Sequence, residues 1–159
     1  MSNGIKSFGR NYLKRQGFNA MLDLSSLKSA VVSMEKTISV VHDKAFMNNL
    51  NEDQRNAIRS GVIQNFEFTY ELSWKFVQRW IRLNKTPEDA DTRTRKDLFR
   101  MAAHYRLISD PIPWFEYGEA RNITSHTYDE VKAKSVYDVA VRFIDDAKYL
   151  LKQLEISND

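Results

Sequence analysis

Between Leu24 and Leu154 the apolar side chains of this chain return every three or four positions, and no stretch alternates apolar with polar. Steps of three and four keep side chains on one face of an α-helix, whereas a half-buried strand needs a period of two. The spacing therefore restricts the fold to packed helices. Leu24, Leu27, Val31, Met34, Ile38, Val41 and Ala45 form a narrow seam of bundle type. Asp23 or Ser25 is the expected N-cap of this first helix, and Asn48 and Asn49 weaken its far end. A second helix is predicted from near Glu52 to near Asn84, about 50 Å long if unbroken, with Gly61 as its expected bend. One stripe of it reads Ile63, Phe66, Tyr70, Trp74, Val77 and Ile81; another reads Phe68, Leu72 and Phe76. Apolar residues over so much of the circumference imply burial on more than one side. This is the expected central helix, and residues 63–81 are a candidate homodimer surface.

Thr86-Pro87 ends that helix, and residues 88–92 make a polar connection. A third helix is predicted from Thr94, with Asp97 as the reciprocal acid of a capping box and Leu98, Met101, Ala102, Tyr105 and Ile108 inside. Asp110-Pro111-Ile112-Pro113 breaks the chain, and a fourth helix begins near Pro113 or Trp114. Residues 129–134 read as a polar loop. Ser135 then caps a last helix with Val136, Val139, Ala140, Phe143, Ala147, Leu150, Leu151 and Leu154 inside. The expected architecture is all-α: a homodimeric up-and-down four-helix bundle with one additional short helix.

Composition narrows the function classes. Hydrophobic residues at 42 % and charged ones at 28 % suit a globular domain rather than a disordered chain. The absence of cysteine excludes disulfides and thiolate metal sites and suits a reducing, cytoplasmic setting. No apolar run reaches the roughly 18–20 residues that cross a bilayer, and no signal-peptide core lies near Met1. A net charge of +3 and a pI of about 9.1 suggest a nucleic-acid binder, but the charge is uneven. Residues 1–20 carry Lys6, Arg10, Lys14 and Arg15 with no acid; subtracting that local +4 from +3 leaves −1 for the remainder. The domain, residues 21–159, is therefore nearly neutral, and the pI does not argue for a broad phosphate-binding face. Residues 1–20 read as a basic, flexible arm. Phe8, Tyr12 and Phe18 could make it an RNA- or partner-binding arm; the alternative is a leader ahead of a natural start at Met21.

The stretch 121–128, Arg-Asn-Ile-Thr-Ser-His-Thr-Tyr, places a guanidinium, an imidazole and a phenol within eight residues. On an unbroken helix Arg121 and Tyr128 lie about 20° apart, but Arg121 and His126 about 140° apart. For these to converge the helix must end or bend, and Asn122, Thr124 and Ser125 are weak helix formers. A phosphodiester suits such a set. Arginine grips non-bridging oxygens, while histidine serves as base toward an RNA 2′-hydroxyl or as acid toward the leaving oxygen. No metal is needed, and His42, His104 and His126 lack the spacing of a metal site; His42 and His104 read as structural. The ordinary reading of an Arg and a His five apart near a helix end is a pair of surface residues favoured by the helix dipole. Glu67, Glu71 and Lys75 read either as helix-surface pairing or as cleft groups in which a carboxylate orients Arg121 or His126.

Three segments, 21–27 (Met-Leu-Asp-Leu-Ser-Ser-Leu), 66–75 (Phe-Glu-Phe-Thr-Tyr-Glu-Leu-Ser-Trp-Lys) and 120–130 around the motif, together resemble the HepT-like branch of the HEPN superfamily. That branch is also described as nucleotidyltransferase substrate-binding proteins. The likeness runs in order from Met21 to the C-terminus and is most specific over Arg121, His126 and Tyr128. It implies a helical homodimer whose motifs face a shared cleft. It further implies a metal-independent ribonuclease toxin of a two-gene toxin–antitoxin module. The partner would be a MntA-type minimal nucleotidyltransferase that neutralises the toxin by adding AMP to the motif tyrosine. Carried over by position, Arg121 and His126 are the catalytic pair and Tyr128 the modification site, with Glu71 and Asn122 in support and no cofactor. RNA is the candidate substrate. Two alternatives stand beside this: a non-catalytic subunit that presents substrate to the nucleotidyltransferase, and a purely structural helical dimer. The near-neutral domain favours the non-catalytic subunit, and the intact Arg-x-x-x-x-His the ribonuclease.

Overall fold

The computed structural model describes residues 21–158, so the basic arm assigned to residues 1–20 lies outside the described residues. Seven α-helices and no strand occur among them. They are α1 Ser25–His42, α2 Lys44–Asn48, α3 Glu52–Asn84, α4 Pro87–Ala90, α5 Arg95–His104, α6 Ile112–Ile123 and α7 Glu130–Ile156, with a 3-10 turn, Thr124–His126, after α6. Helix α3 is central, packing on α1, α4, α5, α6 and α7. It starts in a capping box: Asn51 Oδ1 accepts from Gln54 N at 2.8 Å and Gln54 Oε1 accepts from Asn51 N at 3.0 Å. It then runs 33 residues, unbroken through Gly61.

The core explains why α3 needs more than one apolar face. Phe143 of α7 meets Phe66 of α3 edge-on at 5.2 Å, and Trp114 and Tyr117 of α6 at 5.5 and 5.0 Å. Phe99 of α5 stacks on Trp114 at 4.8 Å. Each such pair contributes about 0.5–1.5 kcal/mol beyond area burial, so one aromatic cluster locks four helices together. On another side of α3 the buried Thr69 donates from Oγ1 to Ala30 O of α1 at 3.5 Å, and Ser73 Oγ to Thr69 O at 2.7 Å. These bonds satisfy hydroxyls that would be costly to bury alone.

The structure corrects several sequence expectations. The first helix ends at His42, because Asp43 leaves helical backbone and caps α2, accepting from Phe46 N at 3.0 Å. Ala45 is consequently exposed and Met47 buried. Residues 130–134 are the first turns of α7 rather than a loop. Asp129, not Ser135, is the cap, accepting from Val131 N at 2.9 Å and Lys132 N at 3.3 Å. Thr94 accepts from Asp97 N at 3.1 Å, but the Asp97 carboxylate pairs with Arg100 at 2.8 Å instead of completing a capping box. Of the second α3 stripe only Phe76 is buried, while Leu72 is half-buried and Phe68 exposed. Between α5 and α6 the chain reverses at Arg106, with φ at 61°, where Leu107 N donates to Ala102 O at 2.9 Å.

Candidate functional site

Arg121 lies in the last turn of α6, and α3 holds it from the side. Glu67 and Glu71, four apart, share one face of α3. Arg121 Nη2 lies 3.1 Å from Glu67 Oε1, and Arg121 Nε donates to Glu71 Oε1 at 3.1 Å. Arg121 Nη1 donates to Thr124 Oγ1 at 3.1 Å, whose hydroxyl donates back to Arg121 O at 2.7 Å. The second oxygen of Glu71 accepts from Trp74 Nε1 at 2.9 Å, so the carboxylate that orients the arginine is itself oriented. Two of the five guanidinium N–H groups are thereby hydrogen-bonded and Nη2 is ion-paired with Glu67, which leaves donors for an anion.

That anion would enter a cleft of about 400 Å³ between α3, α5 and α6, lined among others by Tyr70, Glu71, Arg95, Gly118 and Arg121. A Cβ at Gly118 would stand 2.9 Å from the Tyr70 hydroxyl; glycine is what lets that phenol reach the α6 backbone. Burial pushes the Tyr70 phenol up from its ordinary pKa, while nearby Arg95 pulls it the other way. Arg95 lies 3.6 Å from the centroid of the Trp74 ring, a cation–π contact.

After Ile123 the α-helix gives way to the 3-10 turn, and this change of path brings His126 and Tyr128 face to edge. Their ring centroids are 6.0 Å apart, and Tyr128 Oη is 3.5 Å from His126 Nδ1, the outer limit of a hydrogen bond. Both side chains are exposed, Tyr128 to 83 %. The motif is thus split within one chain: Arg121 turns in on α3, while His126 and Tyr128 form a separate, outward pair. Asn122 is exposed and lines the cleft. Lys75, offered as a surface partner of the glutamates, instead lies 5.6 Å from the Trp74 ring centroid. His42 and His104 occupy the last turns of α1 and α5. No cluster of three or more His, Asp or Glu able to hold a metal occurs among the described residues.

Trp74 was read from the sequence as part of an apolar stripe and Thr124 as a weak helix former; neither they nor Arg95 were assigned to the site. Thr124 follows Arg121 and Trp74 follows Glu71 by three positions, the spacing that puts helical side chains side by side. Arg95 carries no such signal, because a different helix brings it to the cleft.

Comparison with known proteins adds an independent line. Residues 22–156 match the family described as nucleotidyltransferase substrate binding protein like. A protein of Haemophilus influenzae named probable ribonuclease HepT is 36% identical over 138 residues, which is 86% of this chain and 94% of that protein. A solved Haemophilus influenzae structure, described as the fold of a substrate binding domain of a nucleotidyltransferase, superposes with a TM-score of 0.78 at 35% identity. It covers 84% of this chain and 99% of its own. A crystal structure from Thermus thermophilus matches with a TM-score of 0.50 at 25% identity over 77% of this chain and 95% of that one.

Proposed function

Since the chain belongs to the nucleotidyltransferase substrate binding protein like family, we propose that it is a metal-independent ribonuclease of HepT type, acting with a nucleotidyltransferase partner. The observation that carries the proposal is the Arg121 guanidinium, fixed by Glu67 and Glu71 at the edge of an open cleft. A phosphodiester placed there would have its non-bridging oxygens neutralised as the pentacoordinate state develops. His126 takes the proton of the attacking 2′-hydroxyl or gives one to the departing 5′-oxygen, and the products are a 2′,3′-cyclic phosphate and a free 5′-hydroxyl. In one chain Arg121 and His126 face different partners. We therefore place the complete site in a homodimer.

Regulation follows from exposure. Tyr128, 83 % exposed, is open to a MntA-type nucleotidyltransferase. The phenolic oxygen would attack the α-phosphorus of ATP, with loss of its proton and departure of pyrophosphate. The resulting charged AMP group beside His126 would repel RNA phosphates, which is the antitoxin half of a two-gene module.

A second reading, a non-catalytic subunit that presents substrate to the nucleotidyltransferase, is favoured by two carboxylates already balancing Arg121. RNA cleavage in EDTA separates the two. Wild type is expected to leave cyclic phosphate ends, with His126→Ala lower by about 10² to 10⁴. Equal cleavage by both would remove His126 from the mechanism. No cleavage by wild type, with a stable complex on co-expression with the nucleotidyltransferase, would establish the second reading.

A further inference from the structure

Two arginines of this chain meet glutamates in different ways. On the exposed surface Arg142 forks onto Glu116: Nη2 donates to Oε1 at 2.6 Å and Nη1 to Oε2 at 3.4 Å. Such two-handed pairing is the geometry that an arginine and a carboxylate favour. Arg121 and Glu71 do not adopt it. Arg121 Nε donates to Glu71 Oε1 at 3.1 Å, and Oε2 accepts instead from Trp74 Nε1 at 2.9 Å. The indole N–H thus stands where a second guanidinium N–H would otherwise bind. The ring that carries it is half-buried against the core. Two cations lie over it, Arg95 at the start of α5, 3.6 Å from its centroid, and Lys75 on α3 at 5.6 Å. A phenyl ring could pack in much of the same space; the indole adds one donor. With Oε2 released, the Glu71 carboxylate could turn to take Nε and Nη2 together. That would draw Arg121 onto α3 and away from the cleft it edges.

We infer that Trp74 is a positioning residue: by occupying one oxygen of Glu71, its indole N–H keeps that carboxylate from closing two-handed on Arg121 and leaves terminal N–H groups of the arginine to a substrate. That these groups then meet an RNA phosphodiester rests on the ribonuclease reading; the arrangement of the three side chains does not. Trp74 touches no reacting atom. It acts through Glu71 alone, so its effect must vanish when that carboxylate is removed.

The test is a double-mutant cycle on the full-length protein, with Trp74→Phe, Glu71→Ala and the two combined. Trp74→Phe keeps an aromatic ring on α3 and removes the donor. One readout is RNA cleavage in EDTA. Trp74→Phe is expected to lower kcat/KM about tenfold, the weight of one charge-assisted hydrogen bond. In the Glu71→Ala background the same change is expected to matter less than about twofold. Equal losses in both backgrounds, the mark of a merely structural ring, or no loss in either, would overturn the role. The other readout needs no RNA: the rate at which phenylglyoxal, an arginine-selective reagent, modifies Arg121, followed by peptide mass spectrometry. Trp74→Phe is expected to slow that modification severalfold, and the slowing to disappear in the Glu71→Ala background. Faster modification in Trp74→Phe would mean that the indole steadies the arginine rather than frees it, and would also overturn the role. The two proposals fail separately. The expected phenylglyoxal pattern in a protein that cuts no RNA sinks the ribonuclease alone. Wild-type cleavage, with Arg121 modified equally fast in wild type and Trp74→Phe, sinks the positioning role alone.

Discussion

The absence of a side chain at Gly118 shapes the cleft as much as any side chain present. A methyl group there would meet the Tyr70 hydroxyl at 2.9 Å, and the ring carbon behind it at 3.7 Å, so only the oxygen is in the way. Tyr70 is almost wholly buried and packs near Phe66, Phe99 and Phe143, which leaves its ring little room to retreat. Gly118→Ala is therefore expected to lower stability by about 1–3 kcal/mol, the usual cost of overpacking. Adding Tyr70→Phe should return part of that loss, and a double-mutant cycle in urea measures the coupling. Strictly additive losses would mean that the hydroxyl is not what collides. At this scale the sequence was partly readable. Arg121 and Glu71 could be named because a cation near a helix end and a carboxylate on an aromatic helix are local features. Arg95 and the Gly118–Tyr70 contact could not, since each joins residues far apart in the chain.

The helices themselves announced their apolar faces but not their ends. Two missed boundaries turn on one capping side chain each, while α5, whose stripe was carried to Ile108, stops at His104 ahead of the reversal at Arg106. Asp43 stops α1 and starts α2, and Asp129 starts α7 at Glu130 in a stretch whose polar residues read equally well as loop or as the solvated face of a helix. Asp129→Ala is expected to cost about 0.5–2 kcal/mol. Amide exchange should quicken first at residues 130–134, next to the exposed His126–Tyr128 pair, and uniform quickening along α7 would show that the cap does not set its start. A second tie joins the short α4 to the end of α5, where Tyr105 Oη donates to Asp89. That hydrogen bond, with a smaller part from burial, raises the phenol from 10.0 to about 12. The folded chain thus holds this proton more tightly than the unfolded one does. The stability it confers is intact below pH 10 and drains away as pH climbs toward 12. Tyr105→Phe should flatten that part of the alkaline unfolding curve, and an unchanged curve would assign the base sensitivity to other groups.

For the whole molecule the open question is what covers the outward faces of α3 and α7. The sequence pointed to residues 63–81 as buried on more than one side, and most of that demand is met within one chain by α1, α5, α6 and α7. Within 63–81 Phe68 stays exposed, to 59 %, and near the motif so do Tyr128 at 83 % and Val131 at 79 %. Phe68 adjoins Glu67 and precedes Glu71 by three, so a second copy seated on it would come up against the side of α3 that holds Arg121. Light scattering is expected to give twice the 18.6 kDa of one chain, with Phe68→Glu reducing it to a monomer of unchanged helicity; a monomeric wild type would refute the arrangement. Cleavage then tells whether the two half-sites meet across that interface. Arg121→Ala and His126→Ala chains, each inactive alone, would on mixing and re-pairing form heterodimers in about half of cases, each with one intact Arg–His site if the pair is shared between subunits. Activity should then return to about a quarter of wild type. No recovery, from chains shown to have exchanged, would put both groups of each site on the same subunit, and the 3-10 turn after Ile123 would have to move to bring His126 to Arg121.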